Sequence, residues 1–121
     1  MPFSAAAHFG RQLFRIMTRT FSNVVLIGMP GSGKSTLGVI LAKRTSRGFV
    51  DTDVVIQTSQ KRALQDIVDT DGHGALRMIE ENVLLSLTLQ NHVIATGGSA
   101  VYSEQAMTHL KSDGVVVFLD V

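Results

Sequence analysis

The chain has 121 residues, 45% of them hydrophobic and 17% charged, with a formal net charge of +1. That length holds one domain at most, with a single core, and the near-neutral balance argues against nucleic acid or a membrane surface as a partner. There is no cysteine, so disulfides and thiolate metal sites are excluded and a reducing compartment is the simplest setting. No apolar run reaches the roughly 18 residues a membrane helix needs.

The first acidic residue is Asp51. Ahead of it, Arg11, Arg15 and Arg19 fall among Phe9, Leu13, Phe14, Ile16 and Phe21, a composition like that of an organelle transit peptide. The competing reading is an untidy bacterial N-terminus, with Met17, just ahead of the first strand, as an alternative start. Residues 1–22 are therefore expected to stand outside the fold, with one domain over 23–121. The expected compartment is the cytoplasm, or a mitochondrion or plastid if the leader is a transit peptide.

From there strands and helices alternate. Val24 to Ile27 is a short apolar run closed by Gly28, read as a buried strand. Ser35 to Arg44 is helical, with Leu37, Ile40 and Leu41 on one face. Phe49 to Thr52 is a second strand, and Ala63 to Thr70 a short helix ended by Asp71-Gly72-His73-Gly74. Ala75 to Leu89 is the longest helix, striped by Leu76, Ile79, Val83 and Leu87. His92 to Ala95 is a third strand, stopped by Gly97-Gly98. Ser103 caps a helix running to Lys111, and Val115 to Leu119 is a fourth strand. Apolar strands alternating with helices predict an α/β fold: a parallel sheet with helices on both faces. In such sheets ligands bind beyond the carboxyl ends of the strands.

The sequence GMPGSGKS at Gly28 to Ser35 fits a Walker A phosphate loop, with the strand before it and the helix after it that the motif requires. Glycines let successive N–H groups turn inward on phosphate oxygens, and the helix adds the positive end of its dipole. Gly31, Ser32, Gly33, Lys34, Ser35 and Thr36 are the expected nucleotide-binding residues. Lys34 suits the β- and γ-phosphates, and the Ser35 hydroxyl suits Mg²⁺. The competing reading is a glycine-rich strand–helix turn with an exposed lysine.

Over residues 23–121 the chain resembles the shikimate kinase family, of P-loop, nucleoside-monophosphate-kinase-like fold. The resemblance rests on GMPGSGKSTLG at Gly28 to Gly38, FVDTD at Phe49 to Asp53, LRMIEE at Leu76 to Glu81, ATGGSAV at Ala95 to Val101 and VVVFLDV at Val115 to Val121. It implies ATP- and Mg²⁺-dependent phosphorylation of a hydroxyl on a small carboxylate, shikimate first among them, within aromatic amino acid biosynthesis. It further implies that Asp51 helps hold Mg²⁺ beside Ser35, and that Asp53 binds the attacking hydroxyl, acting in catalysis with Lys34. Arg77 is then the partner of the substrate carboxylate, and Gly97 and Gly98 pack against the substrate. A monomer is expected if the domain is complete.

The residues by themselves leave alternatives. Asp53 is suited to cap a helix starting at Val54, and Arg77 has Glu80 and Glu81 at ion-pair spacing. The sequence also departs from the family. Ser99 stands where a third glycine is expected, and Gln57 where an acid is expected. A lid, a further substrate arginine, a fifth strand and a last helix have no counterpart in it. A related kinase with another hydroxy substrate and a non-catalytic nucleotide-binding module are the competing functions. His8, His73, His92 and His109 lack metal-ligand spacing, and Lys43, Arg44 and Arg47 read as a solvated helix end.

Overall fold

A computed structural model describes residues 22–28 and 33–119. The leader, and Gly31 and Ser32 of the phosphate loop, lie outside the described residues. The elements run β1 (Asn23–Gly28), α1 (Lys34–Thr45), β2 (Gly48–Asp51), α2 (Thr52–Gln60), α3 (Leu64–Asp71), α4 (His73–Ser86), β3 (His92–Thr96), a 3-10 turn (Gly98–Tyr102), α5 (Glu104–Lys111) and β4 (Gly114–Leu119).

The strands form one sheet in the order β2-β3-β1-β4, and every pairing is parallel. Every residue of β1 is buried, as an inner strand covered on both faces must be. Alternate side chains feed the two faces. Val24, Leu26, Val93, Val115 and Val117 pack with Leu41 and Ala42 of α1. Val25, Ile27 and Ile94 pack with Leu84 of α4, Ala100, and Ala106 and Leu110 of α5. The sheet with helices on both faces is thus as the alternation predicts.

The helix faces differ from expectation. On α1 the buried residues are Gly38, Leu41, Ala42 and Thr45, while Ile40 is 46% exposed. The face is set by close approach: a Cβ at Gly38 would lie 2.4 Å from Phe49 Cε1. On α4 the buried residue is Leu84, not the expected stripe of Leu76, Ile79 and Val83, which are only half-buried. Leu84 lies seven residues after Arg77, on the same helix face as Glu80 and Glu81. One face of α4 is therefore apolar at its C-terminal half and charged at its N-terminal half.

The boundaries differ too. The helix after β2 is capped by Asp51, not Asp53, and starts at Thr52: Asp51 is extended, and its Oδ1 accepts the Asp53 backbone N–H at 2.9 Å. The break between α3 and α4 is Gly72 alone, at φ +90° with its N–H bonded to Val68 O, so His73 and Gly74 are helical. Helix α4 ends at Ser86 because Leu87 turns extended. Ser103 caps α5 as predicted, accepting the Ala106 N–H at 3.1 Å. Lys43 and Arg44 are exposed, but Arg47 is 6% exposed with its Nε donating to Ser22 O at 2.8 Å, so it is not part of a solvated helix end.

Candidate active site

The carboxyl ends of β1, β2 and β3 sit side by side, with Asp51 in register with Ala95 and Ile27 with Thr96. The segments leaving these ends carry most of the residues singled out above. At β1, Gly33 has φ +83° and precedes α1 with no side-chain cap. A helix N-terminus favours negative charge beside it. Lys34 turns back to donate from Nζ to Gly28 O at 2.9 Å. Ser35 and Thr36 lie exposed in the first turn of α1.

At β2, the Ser35 hydroxyl donates to Asp51 Oδ2 at 3.1 Å. The other Asp51 oxygen is the helix cap described above, so the carboxylate is held in a fixed orientation. Asp53 is half-buried in the first turn of α2. Burial pushes its carboxyl up, the Asp51 charge adds to the rise, and the Lys34 ammonium opposes it. At β3, Gly97 is adjacent: a Cβ there would stand 3.7 Å from Asp53 Oδ1, in the space before the carboxylate. Gly98 opens the 3-10 turn.

The charged end of α4 lies within electrostatic reach of Asp53 through Glu80. A cavity of about 200 Å³ is lined by Arg77, Glu80, Glu81, Ser99, Tyr102 and Ser103 among others. The Arg77 guanidinium lies 5.5 Å from the centroid of the Tyr102 ring. Among the described residues the ion pair within 4.0 Å is Arg62–Asp71, so the helix-surface pairing of Arg77 with Glu80 or Glu81 does not form. Glu80 accepts from the Ser99 hydroxyl, and Glu81 from Ser103 Oγ at 2.7 Å. The Glu80 carboxyl is pushed up by burial first. The Ser99 hydrogen bond opposes this, Asp53 adds to it, and Arg77 opposes it.

Sequence reasoning missed Glu80 and Tyr102 as parts of this cleft. The spacing of Glu80 from Arg77 is the signal that could have found it, and it reads equally well as an ion pair. Gln57 serves local structure, since its Oε1 accepts the Leu64 N–H at 3.2 Å and caps α3, where the Ala63 methyl offers no acceptor. His92 and His109 bond to the carbonyls of Gln90 and Leu87. Among the described residues no three His, Cys, Asp or Glu gather as a metal site.

The profile of the shikimate kinase family matches residues 30–121. Among curated relatives, the shikimate kinase of Paracidovorax citrulli is 42% identical over 101 residues, covering 81% of this chain and 55% of the relative. That of Rippkaea orientalis is 43% identical over 100 residues, covering 82% and 53%. The chain thus spans just over half the length of the relatives it matches. Among solved structures, the shikimate kinase of Acinetobacter baumannii in complex with shikimate superposes with a TM-score of 0.79 at 34% identity, covering 85% of this chain and 58% of that one. The enzyme of Aquifex aeolicus gives 0.74 at 35% identity, covering 82% and 60%. A likeness that spans residues 30–121 in sequence and more than four-fifths of the chain in backbone is kinship and not a shared motif: the chain belongs to the shikimate kinase family.

Proposed function

We propose that the protein transfers the γ-phosphoryl group of ATP to a hydroxyl of shikimate. The observation that carries this reading is the meeting of two half-sites at one sheet edge. Lys34, Ser35 and Asp51 form the phosphate side, and Asp53, Gly97 and the charged end of α4 form the other. Phosphoryl transfer asks little covalent chemistry of a protein; it asks for alignment and charge compensation.

In this reading the backbone N–H groups from Gly31 to Thr36 cradle the phosphates, and Lys34 exchanges the Gly28 carbonyl for β- and γ-phosphate oxygens. Ser35 Oγ and Asp51 Oδ2, 3.1 Å apart, are a hard-oxygen pair that fits Mg²⁺, an ion held by one or two protein oxygens with phosphates and water. Mg²⁺, when bound, neutralises charge on the phosphate oxygens. Asp53 orients the attacking hydroxyl and accepts its proton as the new O–P bond forms and ADP leaves. Its raised pKa makes it the better acceptor. Arg77 forks onto the substrate carboxylate, and Gly97 and Gly98 close on the ring. A monomer in the cytoplasm is part of the proposal, since a cysteine-free chain suits a reducing compartment. No helix among the described residues is long and apolar enough to cross a membrane.

The test is coupled ADP release by the full-length protein with a panel of small hydroxy acids. Release that depends on shikimate above the others is expected. Preference for another hydroxy acid would replace the substrate, and ATP binding without transfer to any of them would sink the kinase reading.

A further inference from the structure

The 3-10 turn Gly98–Tyr102 follows β3 and leads into α5. Ala100, at its middle, is buried among Ile94, Leu84 and Ala106. The Ala100 N–H donates to Gly97 O and the Ser103 N–H to Ala100 O, both at 3.2 Å. The turn is thus anchored in the core through its central residue, and its two ends reach opposite parts of the cleft. Gly97, just before it, borders the Asp53 carboxylate. Tyr102, its last residue, meets Arg77. Five residues at about 2.0 Å each set these ends roughly 8 Å apart.

Tyr102 is 77% exposed, so burial contributes little to holding an aromatic side chain there. Its ring meets a charge: the Arg77 guanidinium carbon lies 5.5 Å from the centroid, inside the roughly 6 Å over which a ring face attracts a cation. The face does so without taking the N–H donors of the guanidinium, which stay with carboxylates. Both side chains line the same cavity.

We propose that Tyr102 is a positioning residue for the substrate carboxylate: its ring steadies the Arg77 guanidinium at the cleft wall, at a span from Asp53 set by the turn. The inference rests on Arg77 being the carboxylate partner in the proposed reaction. A long arginine side chain loses rotamer freedom when it engages a ligand, and a ring that already restrains it lowers that cost. In that reaction Arg77 and Asp53 hold different ends of the substrate. Loss of the ring therefore falls on substrate binding and not on the transfer step.

The test compares two variants of the full-length protein by coupled ADP release. Tyr102→Leu keeps apolar bulk without a π face, and Tyr102→Phe keeps the face without the hydroxyl. Tyr102→Leu is expected to raise the KM for shikimate about three- to fivefold, the scale of one exposed cation–π contact. Its kcat and its KM for ATP are expected to hold within about 1.5-fold, and Tyr102→Phe is expected to match the parent. In an Arg77→Gln background, Tyr102→Leu is expected to change the shikimate KM less than about 1.5-fold. An unchanged KM in Tyr102→Leu, a loss as large in Tyr102→Phe, or an equal loss in both backgrounds overturns the proposal. A parent that turns over shikimate with the same KM as Arg77→Gln overturns Arg77 as the carboxylate partner, and this role of Tyr102 with it. A parent that turns over no shikimate overturns the proposed reaction itself.

Discussion

The Ser35 hydroxyl, in the first turn of α1, donates to Asp51 Oδ2 across 3.1 Å, joining the helix after the phosphate loop to the end of β2. The same carboxylate caps α2 through Oδ1. One oxygen is thus structural, and it holds the other where a metal bound at Ser35 would meet it.

Asp51→Asn separates these two roles. Asparagine caps a helix about as well as aspartate, so the melting temperature of the full-length protein is expected to hold within a few degrees. The Mg²⁺ concentration for half-maximal ADP release is expected to rise at least about tenfold. A magnesium titration that superposes on that of the parent would remove Asp51 from the metal site.

Lys34→Ala is expected to lower the affinity for an ATP analogue by about tenfold or more, because it deletes a charged donor to the phosphates. The fold should survive, since the hydrogen bond to Gly28 O described above is worth about 1.5–3 kcal/mol, less than the stability of an ordinary domain. Calorimetric titration and a thermal melt of the same sample check both halves.

Asp53→Asn is expected to abolish most ADP release while stabilising the ligand-free protein at neutral pH. Burial and the Asp51 charge hold the Asp53 carboxyl above its ordinary value. The folded state then binds more protons than the unfolded state between the ordinary and the raised pKa, so stability falls as pH rises through that window. Asparagine carries no such term. Melts should show the variant gaining on the parent as pH climbs from below the ordinary carboxylate range to just above the raised value, and holding the gain beyond it. A constant difference across that range would deny the raised pKa.

Two glycines set opposite expectations for stability. A Cβ at Gly114 would stand 2.7 Å from the Leu110 carbonyl oxygen, a backbone atom at the end of α5. Gly114→Ala is expected to cost about 1–3 kcal/mol. Gly74 is helical, with nothing within 4 Å of an added Cβ, so Gly74→Ala is expected to gain about 0.4–1 kcal/mol. Urea unfolding of the two variants beside the parent reads both signs.

Local chemistry was enough to find the strand–helix alternation, the four strands to within two residues, and the Ser103 cap. Each of these depends on residues a few positions apart: an apolar run, or a hydroxyl before a helix. Helix α2 was only half legible. Its Thr52-Asp53-Val54-Val55 start is weak in helix propensity, and the Asp51 cap with the burial of Ile56 supplies what propensity lacks. Packing alone decided that β3 enters between β2 and β1, and that Leu41 and Ala42, not Ile40, face the sheet. It also decided that Glu80 accepts its hydrogen bond from Ser99, 19 residues away, while Arg77, three residues away, stays beyond ion-pair distance. A helix offers its i+3 and i+4 pairs to any sequence with the right charges. Whether they form depends on which donors the rest of the chain brings to the same cleft, and periodicity carries no record of that.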